Sequence, residues 1–440
     1  MWIKLQNSMP RIIKKAINNP LFCGSAVYLL SNIISAGIPF ALMPILTHYL
    51  STREYGQVAI FQTLLAGLGA FVGINVQAAA SVKYFDQNIS KNEIGNYIGH
   101  CLLVLGFTAI VLFLITLFFL NSLSIWLATE IQWILLAFLV SSASFVISMR
   151  LGQWQVRKQA KHFAIFQVSQ SLVNMLLSVL AVVFFLQGAN GRIWILIVVP
   201  LIFSLIALIS LYKDDLLDFA WSPNKMREIL SFGVPLIPHS VGLFLLSSVD
   251  RFIVNDKLGL EQVGIYMVAV QMVAVMGLVF DAINNAYAPW LFERLQRNLL
   301  EEKKLIVFWT YIYIMALLSI VILVFFVAES LVHLIAGEKY IEASEIIGWL
   351  ALGQAFQGMY LMVTNYIFYS KRTGLLSLST IISGLIHVSL LIALVSLIGL
   401  KGAAIAFAIS MALKFLMTWF VAQLRHPMPW FNFIRSSKSV

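Results

Sequence analysis

The sequence predicts an all-α integral membrane fold of about twelve transmembrane helices in two six-helix bundles, on three observations. The 440 residues are 60% hydrophobic and only 11% charged, with a mean hydropathy of +0.91, which a water-soluble surface does not tolerate. The apolar residues fall into about a dozen runs, each near the roughly 20 residues that a helix needs to cross a bilayer. The charged residues gather between the runs rather than within them. Open sheets are excluded, because their edges would leave backbone groups unsatisfied in hydrocarbon.

Taken in order, the first six runs extend over about Leu21 to Thr47, Glu54 to Ala80, Ile98 to Leu120, Ile131 to Met149, His162 to Leu186 and Ile193 to Leu211. The second six extend over about Ile229 to Val254, Val263 to Leu291, Leu305 to Val327, Ile346 to Tyr369, Leu376 to Ile398 and Ala403 to Val421. The first exceeds the roughly 7–15 apolar residues of a signal-peptide core and reads as a retained span. Glycines and prolines are scattered through apolar stretches, so no linker sets off a soluble domain.

The formal net charge of +10 does not point to nucleic acid, since that reading needs a basic face on a folded domain. The placement of the basic residues is instead a topology signal. With loops assigned alternately, 22 of the 29 basic residues fall on one side, including Lys4, Arg11, Lys14, Lys15, Lys371, Arg372, Arg435 and Lys438. Only Arg53, Arg192, Lys257, Lys339 and Lys401 fall opposite. The positive-inside rule therefore predicts twelve crossings with both termini cytoplasmic. Cys23 and Cys101 have no CxxC spacing and no histidine cluster around them, so neither a disulfide framework nor a metal site is indicated, and no cofactor is expected.

The turn after the seventh run echoes the turn after the first at an offset of about 208 residues, setting Leu50 and Gly56 against Leu258 and Gly264. Two halves, 1–212 and 213–440, follow from this. An even number of helices per half makes them parallel repeats, a geometry suited to alternating access. The stretch Ser231-Phe-Gly-Val-Pro-Leu-Ile-Pro-His239, then Ser248-Val-Asp-Arg-Phe-Ile-Val254 and Leu258-Gly-Leu-Glu-Gln-Val-Gly-Ile-Tyr266, resembles the polysaccharide flippases of the multidrug/oligosaccharidyl-lipid/polysaccharide exporter superfamily. The Tyr49-Leu-Ser-Thr-Arg-Glu-Tyr-Gly56 turn is similar to that family too. The resemblance implies translocation of an undecaprenyl-pyrophosphate-linked oligosaccharide, as in O-antigen assembly, from the cytoplasmic to the periplasmic leaflet of a bacterial inner membrane. Membrane lipid and polysaccharide polymerase and chain-length proteins are the partners it suggests.

A charge within a span costs several kcal/mol on insertion scales, so each is a candidate functional residue. Asp250, Arg251, Asp281 and Lys414 are such charges. On a continuous seventh helix, Ser240, Ser247 and Arg251 share one stripe and His239 and Asp250 the adjoining one. Facing a cavity, Arg251 is expected to attract pyrophosphate or an acidic sugar, and Asp250 and His239 to exchange protons or hold a coupling cation, with a structural ion pair to another helix as the competing explanation. Lys414, too deep to snorkel, is expected to be a cavity-facing cation in the substrate site. Asp281, Asn284 and Asn285 share an inner helix end and are read as a gate. Gln167, Gln170 and Asn174 in the fifth span, with Gln354, Gln357 and Asn365 in the tenth, form polar faces fitted to sugar hydroxyls. For any single amide, a hydrogen bond between helices is the competing explanation.

Two other classes stay open. A multidrug exporter of the same superfamily would favour anionic cavity residues. A prenyl- or glycosyltransferase is suggested by Asp214-Asp-Leu-Leu-Asp218, an aspartate-rich pattern suited to magnesium and pyrophosphate, although no second such cluster occurs to share the metal. No phosphate-cradling GxxxxGK[ST] loop and no HExxH pair is present, so an ion gradient is the expected energy source rather than an enzymatic reaction.

Overall fold

The computed structural model describes residues 20–86, 89–370 and 374–430, and the basic residues named above at positions 4–15, 371–372 and 435–438 lie outside them. Among the described residues there is no strand. The helices are α1 (Pro20–Tyr49), α2 (Thr52–Phe71), α3 (Val76–Lys83), α4 (Lys91–Phe118), α5 (Leu120–Leu127), α6 (Ile131–Val156), α7 (Ala160–Val179) and α8 (Gly188–Lys213). They continue as α9 (Pro223–Gly233), α10 (Ile237–Ser247), α11 (Asp250–Leu258), α12 (Leu260–Arg297), α13 (Leu300–Ile335), α14 (Ser344–Tyr369) and α15 (Gly374–Arg425).

The local chemistry explains where these helices start. Pro20 and Pro223 open α1 and α9, where the missing N–H costs nothing. Ser51 and Glu54 cap each other reciprocally ahead of α2, and Ser90 and Glu93 repeat that box ahead of α4. Large apolar side chains face outward, with Phe118 88% exposed, as lipid-facing helices require.

Among the described residues eleven stretches are long and apolar enough to cross a membrane, and the last of them, Leu378–Arg425, is 48 residues long. A straight helix of that length would reach about 70 Å, more than twice a bilayer core. Instead α15 folds back at Ile398 and Gly399, where Gly399 has φ +62°. His387 meets Ser410 and Ser383 meets Met417 across the fold, so the two arms run antiparallel. Counting the two arms separately gives twelve candidate crossings among the described residues, in line with the about twelve that the sequence predicts.

Two crossings are discontinuous. The second passes from α2 to α3 through Gly73, Ile74 and Asn75, all at positive φ. The freed Gly73 N–H donates to Thr108 Oγ1 at 2.8 Å, which satisfies a group that lipid would leave bare. The seventh breaks twice, at a 3-10 turn holding Pro235 and again at Ser248–Val249. Asp250 therefore starts a new helix, and the single continuous stripe expected from Ser240 to Arg251 does not exist. Pro39, by contrast, sits inside an unbroken α1.

Close packing divides the chain into two units. One comprises the described residues up to Ile45, then Phe71–Leu120 and Ile131–Leu236; the other comprises Leu46–Ala70, Asn121–Glu130 and the residues from Ile237 onward. In the first, the connection between α8 and α9 is strapped onto α4. Asp218 N–H donates to Gly95 O at 3.2 Å, and Ser222 N–H donates to the buried His100 Nε2 at 2.9 Å. In the second, Trp430 closes an aromatic cluster with Tyr366 and Tyr311, its indole held by Gln423 at 2.9 Å.

Candidate functional site

A cavity of about 380 Å³ lies within the second unit, lined from α10, α11, α12, α14 and α15. All four intramembrane charges named from the sequence, Asp250, Arg251, Asp281 and Lys414, line it, together with Gln354 and Gln357. Their chemistry differs sharply.

Asp250 and Arg251 neutralise each other. The Arg251 guanidinium donates to Asp250 Oδ1 at 2.7 Å, with the two side chains 8% and 4% exposed. The Arg251 backbone N–H adds a bond to the same oxygen at 3.0 Å. The second carboxylate oxygen accepts from Tyr266 Oη at 2.5 Å. Arg251 also donates to the Ser247 carbonyl, freed where the helix breaks. A buried pair of this kind is sustained by such additional bonds, and the break supplies one of them.

Lys414 has no such relief. It is 3% exposed, its Nζ donates to Gln357 Oε1 at 3.1 Å, and it sits 4.0 Å from the centre of the Tyr360 ring. Among the described residues no carboxylate lies within ion-pair distance of it. An aromatic face and one amide oxygen attract a cation without cancelling its charge. The cavity wall therefore carries a buried lysine that, among the described residues, no carboxylate neutralises.

The other sequence candidates are dispersed. Asp281 is exposed at the cavity wall. Asn284 accepts a bond from Asn365 Nδ2 at 2.7 Å, tying α12 to α14, and neither lines the cavity. Asn285 is exposed and His239 is half-buried with an unpartnered Nδ1, both outside the lining. In the first unit, Gln167 donates to Asn32 at 3.0 Å, Asn174 accepts from Arg192 at 2.7 Å, and Gln170 is half-buried.

Sequence reasoning names none of Tyr266, Tyr360 and His387 as a site residue, although Tyr266 closes the family-like stretch from Leu258. Tyr360 lies three residues after Gln357 on the same helical face, a spacing that places the ring beside any cation the amide holds. Tyr266 lies 16 residues from Asp250 on another helix, and no periodicity signals it. His387 is fully buried, with Nδ1 at 3.1 Å from Ser410 Oγ and Nε2 unpartnered.

The aspartate-rich loop is not assembled as a metal site. Asp214 pairs with the buried Arg150, Asp215 with Lys91 at 3.0 Å, and Asp218 accepts from Asn96 and from the Ala220 N–H, each at 3.0 Å. The Ala220 N–H, then Asn96, hold the Asp218 carboxyl below its ordinary range. Among the described residues no group of three acidic, histidine or cysteine side chains is placed to hold a metal.

Twelve crossings with two broken helices and a charged internal cavity define a membrane transporter fold. Two solved transporters share it. The lipid II flippase MurJ, in an inward closed conformation, superimposes with a TM-score of 0.70 at 15% identity, over 91% of this chain and 87% of that one. An inward-facing multidrug resistance MATE family transporter of the MOP superfamily gives 0.67 at 16% identity, over 89% and 94%. Residues 21–295 match the family of polysaccharide biosynthesis proteins, and the chain belongs to it. Lsg locus putative protein 1 of Haemophilus influenzae is 24% identical over 383 residues, spanning 85% of this chain and 91% of that relative.

Proposed function

We propose that the protein is a flippase that moves undecaprenyl-pyrophosphate-linked oligosaccharide repeat units from the cytoplasmic to the periplasmic leaflet of the bacterial inner membrane by alternating access. The observation that carries this reading is Lys414, a buried cation on a cavity wall with no carboxylate in ion-pair range. A pyrophosphate is an anion of the kind that such a group binds. Arg251, already balanced by Asp250, attracts the same group less strongly and fixes the shape of the site. Gln354 and Gln357 offer hydrogen bonds to the sugar next to it, and Gln167, Gln170, Asn174 and Asn365 serve as further polar contacts along the path. Asp250 and His239 carry the coupling ion, and Asp281, Asn284 and Asn285 form an inner gate.

In this reading both termini are cytoplasmic and the two halves are 1–212 and 213–440. The match of Gly56 with Gly264 supports that repeat. Polymerase and chain-length proteins receive the product, and no covalent chemistry takes place.

The test is complementation of a flippase-deficient strain. Lys414→Met and Arg251→Ala variants, present in the membrane at normal levels, are expected to leave surface polysaccharide unrestored. Full restoration by both would sink the assignment. One observation favours a multidrug exporter instead, the exposed Asp281 carboxylate on the cavity wall, which suits a cationic drug. Raised drug resistance that depends on Asp281 would decide for that reading.

A further inference from the structure

The second unit holds another cavity, of about 760 Å³, at the turns joining α1 to α2 and α11 to α12 and closed on one side by α5. Its size falls within the roughly 300–1,000 Å³ of ligand pockets. Arg53, Trp126, Asn255, Asp256 and Glu261 line it, and none of these belongs to the Lys414 cavity.

Three features of this wall point to a ligand. Trp126 is 43% exposed on the cavity, its ring steadied by Phe252 at a centroid distance of 5.4 Å. Asn255 is 7% exposed and donates its Nδ2 to the Trp126 carbonyl at 3.0 Å, yet its buried Oδ1 has no partner. Buried polar atoms without partners are rare, and each needs an explanation. Among the described residues Glu261 forms no ion pair within 4.0 Å, and Asp256 pairs with no cation but its neighbour Lys257, at 3.4 Å.

A lining that combines an indole, two carboxylates, an amide and one guanidinium is matched to a ligand with an apolar C–H face and hydroxyls around its edge. That is the surface of a pyranose ring. Two carboxylates against one cation disfavour an acidic sugar. The walls are also firmly set. An added Cβ on Gly56 would lie 2.0 Å from the Leu260 carbonyl oxygen, so the turns carrying Arg53 and Glu261 are pinned by backbone contact.

We propose that this cavity is a docking site for a neutral oligosaccharide, separate from the site of the pyrophosphate. Under the flippase reading, on which only the origin of the sugar rests, it holds the glycan at the periplasmic mouth.

The test is a ligand-observed NMR titration of the full-length chain in nanodiscs free of glycoside detergents. Chitotriose and maltotriose serve as neutral probes and a sialylated trisaccharide as the acidic one. Saturable binding of a neutral probe is expected, at least tenfold weaker in Trp126→Ala and Glu261→Gln, largely recovered in Trp126→Phe, and unchanged in Lys414→Met. Melting temperatures of the variants check that the fold persists. Absence of saturable neutral binding, or binding that survives Trp126→Ala within twofold, overturns the proposal. So does binding lost in Lys414→Met, which assigns the sugar to the other cavity. An undecaprenyl-linked sugar that competes with the free probe identifies the lipid-linked source. Loss of complementation bears on transport alone, so the two readings fail separately.

Discussion

The crossing of α2 and α12 allows a sharp test of how the second unit is held together. Gly56 and Gly264 face each other, and the contact is reciprocal. A Cβ on Gly264 would sit 2.0 Å from the Thr52 carbonyl oxygen, and one on Gly56 would sit 2.0 Å from that of Leu260. Ordinary contact begins at 3.4 Å, so a Gly264→Ala substitution is about 1.4 Å too close. The obstacle is backbone in both cases, and no rotamer relieves it. The helices have to part, at the roughly 1–3 kcal/mol that overpacking costs. At 1.4 kcal/mol per factor of ten, the closed crossing loses about one order of magnitude in population, up to about two.

Val263, beside the crossing and fully buried, reports on this. In a background with Cys23 and Cys101 replaced, a Val263→Cys variant should react slowly with a maleimide. Adding Gly264→Ala should accelerate labelling about tenfold or more, because the rate follows the population of the opened crossing. Adding Gly56→Ala as well should raise it by less than the product of the single effects, since one separation of the helices relieves both clashes. Unchanged labelling in the single variant, or independent effects in the double, would refute the reasoning.

Other substitutions probe the remaining close approaches. Gly99→Ala puts a Cβ 1.9 Å from the Asp218 carbonyl oxygen and should release the strap between α8 and α9, seen as faster amide exchange over residues 214–222. Gly399→Ala meets nothing within 4 Å, but its φ of +62° with ψ −142° belongs to glycine, so thermal unfolding should show a loss of about 1–3 kcal/mol from backbone strain alone. Because the Asp218 carboxyl is held below its ordinary range, its anchoring of Ala220 is present above that range and lost as pH falls through the depressed value. Exchange at the Ala220 amide, corrected for intrinsic rates, should quicken in acid, and Asp218→Asn should abolish that dependence.

The spans were readable because hydrophobic length is a local property. Their ends were less so where polar turns continue a helix. α4 begins at Lys91, ahead of the apolar run from Ile98, because the Ser90–Glu93 box nucleates it and the polar turn is covered by the strap. α6 runs past Met149 to Val156, since Arg150, Gln153 and Trp154 are buried in the first unit. Arg150 lies just past the end of the fourth apolar run at Met149, and its partner Asp214, 64 residues away, allows its charge to be buried there.

The candidate site was readable to the extent that charges in apolar runs are rare. Asp250, Arg251, Asp281 and Lys414 all stood out for that reason, and all line one cavity. Their states were not readable, because these depend on partners brought by folding. The break at Ser248–Val249 has no proline or glycine to announce it. The break turns the Ser247 carbonyl and the N-terminus of α11 toward the ion pair, so that Arg251 is satisfied within its own segment. Lys414 has no helix break nearby and no carboxylate at hand, only an amide oxygen and an aromatic face. The two cations that looked equivalent in the sequence are thus opposite in kind. Arg251 is spent on holding the seventh crossing in its broken form, whereas Lys414 keeps a charge that the protein itself does not neutralise. On the proposed function a Lys414→Met variant should therefore fold normally and lose transport, while Arg251→Ala strands the Asp250 carboxylate and should lower the melting temperature as well. Equal melting temperatures for the two variants would overturn that distinction.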